Sequence, residues 1–374
     1  MADQQQPGEP QATDVFVCGL LFFDIIFTGL GQPPRPGTEV WANGMGSGPG
    51  GIANHAVALS RLGLRTSLAA AFGDDVYGDY CWDVLTDQGV DLSRSRRLAG
   101  WHSPVTASFA FDHDRAMVTH GHTRPLSADE LIGDPPVSRA AAAHLGPERQ
   151  AWLEVAHARG TLVFADAGWE EAARSADAIL KQLPFCYAFM PNEEEAMAHT
   201  GTTTPHAALA KLAGLVPVVV ITQGARGVLA VDAMTGESAA VPGLDVPVLD
   251  ATGAGDVFGA GFIAATLAGW PLADRLRFAN LGAALSVQQF GGALGAPGWA
   301  GIARWWRVIR DDPAARGLRR DYAFLDGVIP PHIGADAQVR YAAATISFAG
   351  PPPSPRGGSP HPQGPRPAVG AGPY

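Results

Sequence analysis

From about residue 150 onward the chain repeats one pattern, a short apolar run followed by a helix-length segment of mixed polarity. Thr161–Ala165, Cys186–Met190 and Pro217–Thr222 read as strands, and Gln150–Ala158, Trp169–Lys181, Glu193–Thr200 and His206–Leu212 as helices. Strands that are apolar throughout need cover on both faces, and successive strand-then-helix units supply it as a parallel sheet wound on both sides. The expected fold class is α/β, a doubly wound, mostly parallel sheet with helices on both faces. Upstream, Val15–Phe22 reads as a buried strand ending at Asp24, and Ile25–Val40 as an irregular excursion punctuated by Gly and Pro. A glycine-rich turn at Gly44–Gly51 precedes a helix over Ile52–Leu62, then a strand Thr66–Phe72 and a helix Tyr77–Gln88. Thr106–Phe111 and Arg115–Thr119 alternate apolar and polar residues around Asp112-His113-Asp114, which predicts a hairpin. The hairpin and the excursion do not fit the strand–helix units and are expected to form a small β appendage at the sheet's edge.

Composition narrows the functions open to such a sheet. A formal charge of −10 argues against a nucleic-acid surface or an anionic membrane as partner. Cys18, Cys81 and Cys186 form no pair with metal or disulfide spacing and are expected as buried free thiols of a reducing compartment. The polar start of the chain has neither the basic nor the apolar stretch of a signal peptide, so a cytoplasmic location is expected. Lys181 and Lys211 are the only lysines, and neither lies in a glycine-rich loop, which removes the P-loop and protein-kinase routes to phosphate chemistry. Residues 1–13 are expected to be flexible, and the Pro/Gly-dominated stretch 350–374 to be disordered. Between them, residues 301–349 form an extension in which Ile302–Ile309 reads as a short helix carrying Trp305 and Trp306.

Four stretches carry candidate chemistry. Asp250-Ala251-Thr252-Gly253-Ala254-Gly255-Asp256 is a tight turn opening into an apolar helix expected over Val257–Ala268, with a further helix over Leu272–Gln288. A helix start presents unpaired N–H groups and the positive end of its dipole, so Gly253, Ala254 and Gly255 could cradle an anion, with Asp256 placed to take a proton from an attacking hydroxyl. Asp256 equally suits a plain helix-start charge. Pro191-Asn192-Glu193-Glu194-Glu195 carries a capping box, Asn192 with Glu195, and a carboxylate there could also hold hydrated Mg²⁺. Thr222-Gln223-Gly224-Ala225-Arg226-Gly227 lies at the carboxyl end of a strand, where α/β folds place ligands, or is an ordinary turn. Asp24, Gly50, Gly51 and Asn54 combine a carboxylate, a carboxamide and open backbone, equipment for neutral hydroxyls, or are a solvated Asp and a helix-start Asn. Gly46-x-Gly48-x-x-Gly51 matches a dinucleotide fingerprint, but the long excursion before it and Pro49 within it argue against that reading. His113, His120 and His122 lack metal-site spacing and read as hairpin surface.

Taken in order, these stretches resemble the ribokinase (PfkB) family of carbohydrate and nucleoside kinases over roughly residues 14–298. Residues 250–256 look like its C-terminal signature, and Gly50-Gly51-Ile52-Ala53-Asn54-His55-Ala56 with Arg61-Leu62-Gly63 like its N-terminal one. Gly73-Asp74-Asp75-x-x-Gly78, Asn192-x-x-Glu195 and Thr222-x-Gly224-x-x-Gly227 match as well. The resemblance implies an ATP- and Mg²⁺-dependent transfer to an alcohol of a small sugar, or alternatively a nucleoside, on a ribokinase-like fold. It implies Asp256 as base, and backbone N–H groups of residues 253–255 on the phosphoryl group. Asp24, Gly50, Gly51 and Asn54 would lie on the acceptor, and Asn192, Thr222, Gly224, Gly227 and Asn280 on the ATP side. Glu195 would act on Mg²⁺ through water, and Asp250 and Thr252 at a monovalent cation such as K⁺. The β appendage, about residues 25–45 and 100–120, would be a lid over the sugar and a route to a homodimer. Asp24 favours a neutral acceptor over a sugar phosphate, although Arg115 and Arg124 on the hairpin keep the latter open. A sugar-binding regulator without catalysis is disfavoured by an intact Asp256.

Overall fold

The computed structural model describes residues 13–111, 114–122, 126–334 and 338. Its first strand, β1 (Thr13–Cys18), carries the buried run Val15-Phe16-Val17-Cys18 and stops at Gly19. The chain then leaves that sheet. β2 (Leu21–Thr28) and β3 (Gly44–Gly51) pair antiparallel and lead into α1 (Ile52–Arg61). The single strand expected over Val15–Phe22 is thus two strands in two sheets. Asp24 sits in the middle of β2 rather than at the end of β1, and the expected glycine turn is the regular strand β3. After α1 come β4 (Thr66–Ala69), β5 (Ala71–Gly73) and α2 (Val76–Asp87). Asp75 caps α2, accepting from the N–H groups of Tyr77 and Gly78, and also accepts from the Ser103 N–H at 2.7 Å. Strand β6 (Arg96–Leu98) pairs with β5, and the hairpin forms as β7 (Val105–Phe111) and β8 (Asp114–His120).

The alternating half follows: α3 (Ala128–Ile132), β9 (Ser138–His144), α4 (Ala151–Ala158), β10 (Leu162–Asp166) and α5 (Trp169–Leu180). Next are β11 (Ala188–Phe189), α6 (Glu193–Thr200), α7 (Pro205–Leu212), β12 (Val218–Thr222) and the antiparallel pair β13 (Val228–Asp232) and β14 (Glu237–Val241). The chain continues through α8 (Ala254–Leu267), α9 (Leu272–Ser286) and α10 (Gly292–Gly295). It ends in α11 (Trp299–Asp311), α12 (Arg316–Asp321) and α13 (Leu325–Val328).

Eight strands form the main sheet in the order β14-β13-β12-β11-β10-β9-β1-β4, parallel except where β12, β13 and β14 meet. Alternate residues feed two cores. Val15, Val17, Ala140 and Ala142 face α1, α8 and α9, while Phe16, Ala141 and Ala143 face Trp152 and Leu153 of α4. Each large side chain buried this way contributes about 1.5–3 kcal/mol, so the sheet with its two helical layers holds most of the fold's driving force. Apart from the β5–β6 pair, the remaining strands make a second sheet in the order β3-β2-β7-β8, tied to α2 where Phe23 packs on Tyr77 and Tyr80. A third cluster joins Ile302, Trp306, Tyr322 and Leu325 to Phe278 and Leu281 of α9, so helices α11–α13 pack on the main unit. Trp299 and Trp306 anchor that contact, donating to the Leu62 carbonyl and to Asp326 over 2.8 and 2.7 Å. Among the described residues no helix is long and apolar enough to cross a membrane.

Candidate active site

The carboxyl edge of the main sheet gathers polar residues that the strands themselves have no use for. His144 ends β9, Asp166 ends β10, Asn192 follows β11 and Thr222 ends β12, with a bridge joining Asn192 to Thr222. Ligands of open α/β sheets bind at this edge, where the strands' carboxyl ends meet helix starts.

Helix α8 starts there one turn earlier than its apolar run indicates, so Asp256 lies in its first turn. Gly253 is the N-cap, at φ +72°, and a Cβ on it would fall 2.5 Å from the Cα of Gly292 and 2.7 Å from Nδ2 of Asn54. Only glycine fits both the left-handed conformation and that gap. The first backbone N–H to find its i−4 carbonyl is that of Val257, on Gly253 at 3.0 Å. The N–H groups of Gly255 and Asp256 precede it and have no such carbonyl to reach. The Ala254 N–H is held, at 3.3 Å, by the carbonyl of Ala251. An open helix start of this kind, with its dipole, suits an anion.

Both oxygens of the Asp256 carboxylate are engaged from α1. Asn54 donates through Nδ2 to Oδ2 at 2.7 Å, and His55 Nδ1 lies 3.2 Å from Oδ1, off the ring's N–H axis, as an ion-pair contact. The Asn54 carbonyl oxygen is buried and has no hydrogen-bond partner among the described residues. Burial presses the His55 imidazole toward neutrality, but Asp256 beside it outweighs that and leaves the pKa raised. Asp166 shows the mirror case. Burial works against its charge, yet His144, 3.0 Å away, with His55 further off, holds its pKa below the ordinary value.

Asp24 is buried on β2 and faces Gly50 of β3, where any Cβ would overlap its carboxylate. Gly51 caps α1, and a Cβ there would lie 2.5 Å from the Leu20 carbonyl. Asp24 and Ile26 line a narrow cleft with Gly46 and Gly48, closed by Phe290 and Leu294. A larger cavity lies on the opposite face of the same sheet, among Phe27, Leu30, Trp41, Met45 and Phe109, with Glu39 and Asn43 also in its wall. Its lining is mainly apolar and Asp24 faces the other way, so the cleft beside Asp24 is the better candidate.

Across the strand ends, Asn192 and Glu195 form the expected capping box, each side chain accepting from the other's backbone N–H at 2.9 Å. Burial pushes the Glu195 carboxyl up to about 7, with the Asn192 N–H opposing it and Asp166 adding to it. Gly224 lies in the short turn after Thr222 with open space where a Cβ would point, and Gly227 presses against the Val241 carbonyl. Asn280, expected on the nucleotide side, is buried and donates to the carbonyls of Val241 and Pro242 at 3.5 and 3.1 Å, so it pins the loop after β14. Glu193 binds Arg226 and Gln223, closing the same corner. Asp250 accepts from the N–H groups of Thr252 and Gly291, both at 2.9 Å, while the Thr252 hydroxyl is buried without a partner, an oxygen suited to a cation.

The residues sequence reasoning passed over are His55, Asp166 and His144. His55 lies inside the quoted N-terminal signature, and Asp166 directly follows a predicted strand, so position alone could have marked both. Arg124 lies outside the described residues, as do His113 and the side chain of Arg115.

A helix start open to an anion, a carboxylate in its first turn and a cleft beside Asp24 are the parts a phosphotransferase acting on an alcohol needs. The chain belongs to the pfkB family of carbohydrate kinases, whose profile matches residues 12–298. It is similar to a nucleoside kinase of Methanothermobacter thermautotrophicus, 29% identical over 295 residues that cover 74% of this chain and 90% of that one. A fructoselysine 6-kinase of Shigella flexneri is 30% identical over 250 residues, 65% of this chain and 90% of its own. In fold it is similar to the Arabidopsis thaliana ribokinase solved with ribose and ATP, with TM-score 0.65, 22% identity and coverage of 79% and 98%. The protein is a kinase of the sugar and nucleoside class.

Proposed function

We propose that the protein transfers the γ-phosphoryl group of ATP to a hydroxyl of a small neutral sugar, in the manner of a ribokinase or fructokinase. The observation that carries this reading is Asp256, set in the first turn of an open helix start and joined to the acceptor side through Asn54 at 2.7 Å. Asp24 and the orphaned oxygen of Asn54 bind and orient acceptor hydroxyls, with Gly50 and Gly51 giving them room. Asp256 takes the proton of the attacking hydroxyl. Within residues 253–255 the N–H groups of Gly253 and Gly255 stabilise charge on the phosphoryl group, that of Ala254 being held by Ala251, so that positioning and electrostatics do the work.

Thr222, Gly224, Gly227 and Asn192 bound the nucleotide, with Asn280 supporting its loop. Glu195 would hold Mg²⁺ through water, and the metal would supply charge neutralisation on the phosphates. Asp250 and Thr252 would hold a monovalent cation such as K⁺, on the strength of the orphaned Thr252 hydroxyl. In this reading residues 14–300 form the cytoplasmic kinase unit, and the second sheet is its lid. The exposed Met117 and Val118 on edge strand β8 support pairing of two lids in a homodimer. A nucleoside acceptor is the second reading, favoured by the nucleoside-kinase relative.

A phosphotransfer screen over sugars, sugar phosphates and nucleosides, with Asp256→Asn as control, tests it. A neutral sugar is the expected acceptor. Loss of the reading follows if the wild type transfers phosphate to nothing, or if Asp256→Asn is equally active.

A further inference from the structure

We propose that His55 is a positioning residue for Asp256, a buried cation that fixes the carboxylate and compensates its charge from behind. The inference rests on Asp256 being the base. Its geometric support is fourfold. His55 Nδ1 stands 3.2 Å from Asp256 Oδ1, on the oxygen that Asn54 leaves unused. His55 is buried, with its side chain 7% exposed, while the Asp256 side chain is 26% exposed, so solvent reaches the contact only from the Asp256 side. Gly259, one turn after Asp256 on α8, makes room for it, since a Cβ at that position would lie 2.8 Å from His55 Nε2. Glycine inside a helix costs about 1 kcal/mol against alanine, a cost that accommodating the imidazole explains. Asp166 completes the surroundings, with ligand-type atoms of His55, Asp166 and Asp256 all within 4.8 Å of one another.

The titratable groups facing the ring are therefore Asp256 from α8, Asp166 from the end of β10 and, behind Asp166, His144 from the end of β9. Two carboxylates against a buried imidazole favour the imidazolium, and the raised pKa of His55 agrees. The charge matters because this site collects negative groups. Asp256 and Asp166 share it with incoming phosphates, and the chain's lysines sit elsewhere, Lys211 on the Thr200 carbonyl and Lys181 after α5. A positive charge beside Asp256 opposes the repulsion between its carboxylate and those neighbours. An imidazolium held off the line of attack offsets the field without itself meeting the substrate.

Two measurements on the full-length chain test this. In ¹³C-histidine-labelled wild type, the His55 ring signal, assigned by its loss in His55→Gln, is expected to titrate above a free histidine and to move down by about one pH unit in Asp256→Asn. In kinetics with whichever of ribose, fructose or adenosine the wild type phosphorylates, His55→Gln is expected to lower kcat about tenfold and leave the acceptor KM within about twofold. The acid limb of kcat should shift up by about one pH unit. Titration at or below the free-histidine value, or a His55→Gln pH profile superimposable on the wild type, overturns the inference. If Asp256→Asn keeps full activity, the base assignment fails. If Asp256→Asn is inactive while His55→Gln matches the wild type, the role of His55 fails alone. Where His55→Gln does not fold, His55→Asn supplies the assignment, and the NMR titration of the wild type then decides the matter.

Discussion

Asn54 and Asp256 are 202 residues apart in sequence and share a 2.7 Å hydrogen bond at the start of two packed helices. The bond ties the first turn of α1 to the first turn of α8 and so couples the two helix starts. In the function proposed above Asn54 then has two jobs, its amide nitrogen holding Asp256 and its oxygen, without a partner among the described residues, meeting the acceptor.

Replacing Asn54 with aspartate would set a second carboxylate against Asp256, and two such groups cannot both ionise freely. Turnover at pH 7 is expected to fall at least about tenfold, with partial recovery on the alkaline side. A pH–rate profile of Asn54→Asp beside the wild type checks this, and an unshifted profile would contradict the shared bond.

Gly253→Ala is expected to destabilise the fold by about 1–3 kcal/mol, because φ +72° and the approach of Gly292 both exclude a Cβ. Gly255→Ala, two residues on, meets open space and should leave stability within about 1 kcal/mol of wild type. Thermal unfolding of the two variants gives the comparison directly.

Asp75 caps α2 and reaches across to the Ser103 N–H, and removing it as Asp75→Ala is expected to cost about 1–2 kcal/mol. Burial opposes its charge, but the N–H groups of Gly78, Ser103 and Tyr77 prevail and hold its pKa below 3.8. An acid whose folded pKa is depressed stabilises above its unfolded pKa and stops doing so as pH falls through the folded value. The gap between wild type and Asp75→Ala should therefore hold steady from neutral pH to about 4 and narrow below it. Denaturant melts at pH 7, 4 and 3 measure that gap.

Cys18, Cys81 and Cys186 are buried, and burial pushes the thiols of Cys81 and Cys186 up to about 12. Thiolate is the reactive form, so native protein should resist a thiol-specific disulfide reagent over minutes. The same reagent should modify all three after denaturation, and rapid native labelling at any of them would disprove their burial.

The alternating half of the fold was readable because each of its strands is bounded by turn residues and followed by a helix pattern. Strand β9 escaped because Arg139 is followed by four alanines, the residue with the highest helix propensity. It is a strand because β1 and β10 flank it and α4 and α8 press close on either face, a reason that lies wholly in tertiary contacts. Strands β1 and β2 read as one because Gly19 and Leu20 interrupt the apolar run too briefly to mark a change of sheet. In the site, residues at turns and caps were legible because their local roles demand particular side chains. His55 could be singled out by its place in the N-terminal signature, but its partner could not, since a histidine on the buried side of a helix meets that partner only when the second helix is in place.

Strand β3 offers Asp24 a neighbour made almost wholly of backbone, Gly-Met-Gly-Ser-Gly-Pro-Gly-Gly. A Cβ on Gly44 or Gly46 would run into Phe290, and one on Gly48 into Leu294. The strand thus leaves the shape of the cleft to side chains delivered from the far end of the domain. A lineage of such enzymes could exchange one acceptor for another by editing positions 290 and 294, keeping the strand pairing that carries Asp24 intact. Conversely, a library confined to the second sheet would leave untouched the two side chains, Phe290 and Leu294, that close the cleft.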